Sequence, residues 1–85
     1  MITTLELSMY PFCEDYRALI KDFIRKLNDC PGLKVTPGPT CTYIVGDYEN
    51  VMQCLTDMIR WSYSEHGRAV FVAKILPGYA ADQTA

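Results

Sequence analysis

The chain has 85 residues, enough for one domain near the lower size limit of a self-sufficient apolar core, so burial between copies is an expected supplement. Its composition, 49% hydrophobic and 21% charged with formal net charge −2, excludes a disordered or fibrous chain. A pI of about 5.1 and the lack of any Lys/Arg run remove the counterion-release term that supplies most nucleic-acid affinity.

Residues 2–9 alternate, with Leu5, Leu7 and Met9 on one face and Thr4, Glu6 and Ser8 on the other, which predicts a half-buried strand stopped at Pro11. From Asp15 the apolar residues Tyr16, Leu19, Ile20, Phe23, Ile24 and Leu27 step by three and four, the stripe of an amphipathic helix. Glu14 and Asp15 suit its positive N-terminal end, and Pro31-Gly32 closes it. Residues 33–36 form a short strand, Pro37-Gly38-Pro39 a reversing turn, and residues 40–46 the returning strand of a hairpin. Asp47 is placed to cap a second helix carrying Val51, Leu55, Met58, Ile59 and Ser62, with Gly67 after His66 as its stop. Residues 69–76, rich in Val, Phe and Ile, form the last strand. Residues 77–85 have no periodicity and are expected to be a mobile tail outside a single domain of residues 1–76.

Strand, helix, strand, strand, helix, strand is the order of an α+β, ferredoxin-like βαββαβ sandwich. Two helices cover only one face of a four-stranded antiparallel sheet, and right-handed crossovers favour the order 4-1-3-2. The other face is expected to be uncovered and to present Glu6, Ser8 and Tyr10. Strand 3 adds either Thr40, Thr42 and Ile44 or Cys41, Tyr43 and Val45, since its alternation supports both registers. Such a face on so small a domain invites a second sheet, so the chain is expected to form a homodimer or homotetramer.

The N-terminal residues lack the basic and apolar segments of a secretory signal, and no apolar run approaches the ~20 residues that span a bilayer. Cys13, Cys30, Cys41 and Cys54 contain no C-x-x-C pair to seed a zinc or redox site. The expectation is a cytoplasmic chain with reduced thiols and no membrane insertion. Cys13 precedes a helix, where the dipole lowers a thiol pKa, yet the sequence offers it no partner base.

The sequence holds no G-x-S-x-G, H-E-x-x-H or Walker motif. Its one histidine, His66, reads as a helix-terminal residue facing the dipole, and Glu14 and Asp15 read as helix-start carboxylates. No catalytic residue, metal ligand or cofactor is therefore expected. In the 4-1-3-2 sheet, the exit of strand 1 (Ser8, Tyr10) meets the entry of strand 3 (Thr40, Cys41, Thr42), near the first turn of helix 1. Hydroxyls, an aromatic ring and carboxylates collect there, the composition of a small polar-aromatic pocket; the same residues read equally well as ordinary β-formers and an interface ring.

Leu5-Glu6-Leu7-Ser8-Met9-Tyr10-Pro11, the Asp15-Tyr16-x-x-Leu19-Ile20 stripe and Thr42-Tyr43-Ile44-Val45-Gly46-Asp47-Tyr48-Glu49-Asn50-Val51 resemble the YkoF-like family of thiamine/hydroxymethylpyrimidine-binding domains, over residues 4–76. The resemblance implies the ferredoxin-like fold, homo-oligomers of single-domain chains joined through their sheets, and binding of thiamine or its hydroxymethylpyrimidine moiety in precursor uptake or salvage rather than catalysis. It implies Ser8, Tyr10 and Thr42 as pocket residues. Where the tandem proteins carry Ser-Thr, this chain has Cys41-Thr42, one hydroxyl fewer. An aminopyrimidine suits a Tyr ring and Ser/Thr hydroxyls, and Glu6 or Asp15 could accept from its amine. Exposed tyrosines on an acidic domain suit the thiazolium cation. Alternatives are a small dimeric ferredoxin-like enzyme of monooxygenase or isomerase type using Trp61, Tyr63 and His66, and a purely structural or regulatory oligomer.

Overall fold

The structure, a computed structural model, describes residues 1–81. Its elements are β1 (Ile2–Pro11), α1 (Tyr16–Leu27), β2 (Lys34–Pro37), β3 (Thr42–Asp47), α2 (Tyr48–His66) and β4 (Ala69–Pro77). The four strands form one antiparallel sheet in the order β2-β3-β1-β4, the expected ferredoxin-like arrangement read from its other edge.

Period two puts Leu5, Leu7 and Met9 on the helix-covered face, where they pack with Phe23 and Leu27 of α1, Ile44 of β3, and Val51, Cys54 and Met58 of α2. Phe23 and Phe71 meet at 5.4 Å between ring centroids. Burying each large aliphatic or aromatic side chain contributes about 1.5–3 kcal/mol, so this layer supplies most of the favourable energy of folding.

The strand ends follow backbone hydrogen-bond supply. The β1–β3 ladder ends at Leu7↔Thr42, while β1 continues against β4 as far as Pro11↔Ala69. Beyond Leu7 one edge of β1 has no β3 partner, so Pro11 ends the strand instead of preceding its end. Asp15 occupies the N-cap position of α1 and Asp47 that of α2, neither with a side-chain capping bond. Asp47 accepts instead from the N-terminal ammonium at 3.3 Å, which together with Glu49 holds its carboxyl below the ordinary range. Gly67, at φ +78°, ends α2 as expected, its N–H donating to the Tyr63 carbonyl at 3.0 Å.

Two expectations are corrected here. The domain does not stop at residue 76. β4 runs to Pro77, the Gly78 N–H donates to the Ile2 carbonyl at 2.7 Å, and Ala80 is buried. Residues 78–81 form a strap held by Thr4, whose hydroxyl donates to the Tyr79 carbonyl at 2.6 Å and accepts from the Ala81 N–H at 2.9 Å. The rest of the expected tail, residues 82–85, lies outside the described residues. The strap also means that the second sheet face is not wholly uncovered: Thr4 is fully buried on it and Val45 nearly so.

Candidate functional site

The register decides which residues of β3 face the helices. Thr42 lies opposite Leu7, Ile44 opposite Leu5 and Gly46 opposite Thr3, and directly paired residues share a face. Thr42 is therefore under the sheet and buried with the core, 7% exposed. The face away from the helices carries Tyr43 opposite Glu6, Val45 opposite Thr4, and Cys41 near Ser8. Of the two sets left open by the sequence, the second is the one presented. Gly46 explains part of the choice: a Cβ there would meet the Leu33 side chain and come within 2.9 Å of the Gly32 carbonyl oxygen, so the α1–β2 connection crosses β3 on the helix side at a glycine.

Across this face the middle row runs Thr36, Tyr43, Glu6, Lys74, one residue from each strand. Two hollows lie along it and share Glu6. The smaller, about 310 Å³, is lined by Glu6, Ser8, Tyr10, Thr40, Cys41, Val72 and Lys74. The larger, about 700 Å³, is lined by Glu6, Lys34, Thr36, Tyr43, Val45, Leu76, and by Tyr79 and Ala81 of the strap. Ligand pockets span roughly 300–1,000 Å³, and both hollows fall in that range.

Five of the seven residues singled out from the sequence, Glu6, Ser8, Tyr10, Thr40 and Cys41, thus line one cavity. Thr42 does not reach it, for the register reason given. Asp15 does not either: it is exposed at the start of α1 and lines neither of these two hollows. Tyr43 and Tyr79 are the aromatic lining residues the sequence reading did not select, and Val72 and Lys74 of the smaller hollow went unselected as well. Tyr43 stood in one of its two alternatives, and nothing in the aperiodic segment after Pro77 signals Tyr79.

The electrostatics of the cavity follow from these placements. Ser8 donates its hydroxyl proton to the Thr40 carbonyl at 3.0 Å, which fixes the β1 exit to the β2–β3 turn and leaves the Ser8 oxygen available as an acceptor. Glu6 lies opposite Lys74. Cys41 and Glu6 hold the Tyr43 phenol above its ordinary pKa, so it remains a neutral donor and aromatic surface. Tyr10 is 55% exposed and also borders a hollow of about 480 Å³ on the helix side with Tyr16, Ile20 and Pro39. An acceptor carboxylate, hydroxyls, a thiol and aromatic rings can together hold a flat, amine-bearing or cationic ring.

His66, Trp61 and Tyr63 belong to α2, in the other layer. His66 Nε2 and Asp22 Oδ2 are 2.8 Å apart, and since an ionised carboxylate can only accept, the ring nitrogen donates. Trp61 meets the imidazole edge-on at 5.6 Å. This is a link between α1 and α2. No cluster of three or more His, Cys, Asp or Glu able to hold a metal occurs among the described residues, and no helix among them is long and apolar enough to cross a membrane.

No protein-family model matches the sequence, and no curated protein does. Solved structures do match. The chain is similar to a protein of Thermotoga maritima, put forward as a thiamine biosynthesis/salvage protein, with 25% identity and a TM-score of 0.79 over 100% of this chain and 90% of that one. It is similar to a protein of Streptococcus pneumoniae with 18% identity and a TM-score of 0.80, over 96% and 92% of the two chains. A domain of unknown function from Bacillus cereus matches with 14% identity and a TM-score of 0.72, over 100% and 82%. The last two bear on the fold alone.

Proposed function

We propose that this chain is a non-catalytic binding domain for thiamine or its hydroxymethylpyrimidine moiety, active in the cytoplasm as a homo-oligomer joined through its sheets. The observation that carries the reading is the gathering of Glu6, Ser8, Tyr10, Thr40 and Cys41 around one cavity of about 310 Å³. The Thermotoga maritima protein, at 25% identity, adds support for a thiamine-related role. The pyrimidine stacks against Tyr10, its exocyclic amine donates to the Glu6 carboxylate and the Ser8 oxygen, and the thiazolium lies toward Tyr43 and Tyr79. Val70, Val72, Phe12 and Tyr10, all exposed, supply apolar surface for a second copy.

Calorimetry and thermal shift test this reading. Thiamine or hydroxymethylpyrimidine at a hundredfold excess over its dissociation constant stabilises the fold by ~2.7 kcal/mol. Tyr10→Ala weakens binding at least tenfold, and thiamine binds more tightly than its diphosphate because the site offers no glycine-rich phosphate cradle and no arginine pair. Undiminished binding by Tyr10→Ala, or the reverse order of the two ligands, defeats the assignment.

A further inference from the structure

We infer that Cys30 and Cys54 form a reversible thiol–disulfide site, oxidised by low-molecular-weight disulfides, that staples the exit of α1 to the N-terminal half of α2. The two cysteines are 24 residues apart, yet their Sγ atoms lie 2.6 Å from each other, inside non-bonded sulfur contact and short only of a disulfide bond. Folding brings the pair together with no other part of the chain between them. Cys30 is fixed by the turn after α1, where the Asp29 N–H donates to Lys26 and the Cys30 N–H to Leu27, each at 3.0 Å. Cys54 is fixed by its place in the core, where it is 4% exposed.

The pair is asymmetric. Both cysteines line a hollow of about 180 Å³ with Pro31, Asn50, Gln53 and Asp57, but Cys30 is half-buried where Cys54 is only 4% exposed, so a small reagent meets Cys30 first. Cys54 lies beneath it; burial, with the Cys30 hydrogen bond and Asp57 added, holds its thiol well above the ordinary pKa. The exchange has two steps. The Cys30 thiolate attacks one sulfur of the small disulfide, breaking that bond and releasing the first small thiolate. The Cys54 thiolate then attacks Cys30 Sγ, breaking the mixed disulfide and releasing the second. Both protein thiols are oxidised, the small disulfide is reduced to two thiols, and the two protons lost by the cysteines appear on those leaving thiols.

The link closes a covalent loop that encloses β2 and β3, the hairpin that carries Thr36, Cys41 and Tyr43 to the other sheet face. Cys13, exposed in the β1–α1 connection, and Cys41 stand apart from the pair. The inference does not rest on ligand binding.

The test is incubation of the folded protein with oxidised glutathione, followed by alkylation, intact mass and peptide mapping. The expected product has lost two hydrogen atoms per chain, carries one Cys30–Cys54 bridge, and melts roughly 10–20 °C higher, as a cross-link of this span predicts. Its formation speeds up with rising pH, because a thiolate is the attacking species in both steps, and dithiothreitol reverses it. A Cys13→Ala/Cys41→Ala double variant still forms the bridge, while Cys30→Ser does not. The inference is overturned if the double variant, still folded by circular dichroism, forms no bridge under these conditions. A bridge that appears only in denaturant, or one that lowers the melting temperature, overturns it equally.

Discussion

Thr3 and Thr4 are neighbours, both fully buried, and point to opposite faces of β1. The Thr4 hydroxyl makes two hydrogen bonds to the strap, while the Thr3 hydroxyl has no partner. Replacing each by valine keeps the shape and removes only the hydroxyl. A net hydrogen bond contributes ~0.5–1.5 kcal/mol, so Thr4→Val should cost about 1–3 kcal/mol if the strap stays down. Release of the strap to water sets a ceiling, since its freed Tyr79 carbonyl and Ala81 N–H can then be hydrated, and about 1–2 kcal/mol is the expected loss. For a domain of this size that lowers the melting temperature by roughly 5–10 °C. Thr3→Val removes a buried, unpartnered hydroxyl and should be neutral or stabilising by up to about 1 kcal/mol. Urea denaturation gives both numbers, and hydrogen exchange at the Ala81 amide reports the strap directly. The reasoning fails if the two variants lose equal stability, or if the Ala81 amide keeps its protection in Thr4→Val.

Gly46→Ala should destabilise the fold by about 1–3 kcal/mol in urea denaturation, because the added methyl group meets the Gly32 carbonyl as well as the Leu33 side chain. Asp22 has its pKa depressed below 3.8 by hydrogen bonds from Arg25 and then His66. Its contribution to stability is therefore fully present above that ordinary value and is lost as pH falls through the lower folded value. Asp22→Asn should accordingly lower the melting temperature at neutral pH and narrow its difference from the parent below pH 3.8; a constant difference down to pH 2 removes this account.

Most of the fold was legible in the sequence because each element announces itself by period and punctuation. Leu5, Leu7 and Met9 gave the buried face of β1, and the Tyr16 to Leu27 stripe gave α1. What could not be read was the face of β3, and the strap is the physical reason. Ile44 is buried by the helices and Val45 by the cover over the opposite face, so the strand is apolar on both sides and its alternation carries no direction. The strap itself is held through backbone groups and one threonine hydroxyl, which leave no hydrophobic period to detect. The same gap moved Thr42 into the expected pocket and left Tyr79 out of it.

The hydrogen bond from Ser8 to the Thr40 carbonyl has a consequence for which molecules the smaller hollow can tell apart. With its proton committed to the backbone, the serine oxygen faces the cavity as a pure acceptor, beside a Glu6 carboxylate that is also an acceptor. Two acceptors side by side form a polarity filter. A ring bearing an amino group satisfies both, whereas its oxo counterpart, identical in outline, confronts them with lone pairs. On the proposed reading, the orientation of that one hydroxyl proton steers an amino edge toward Ser8 and Glu6, and leaves the Lys74 ammonium of the same hollow as the donor that an oxo group would need.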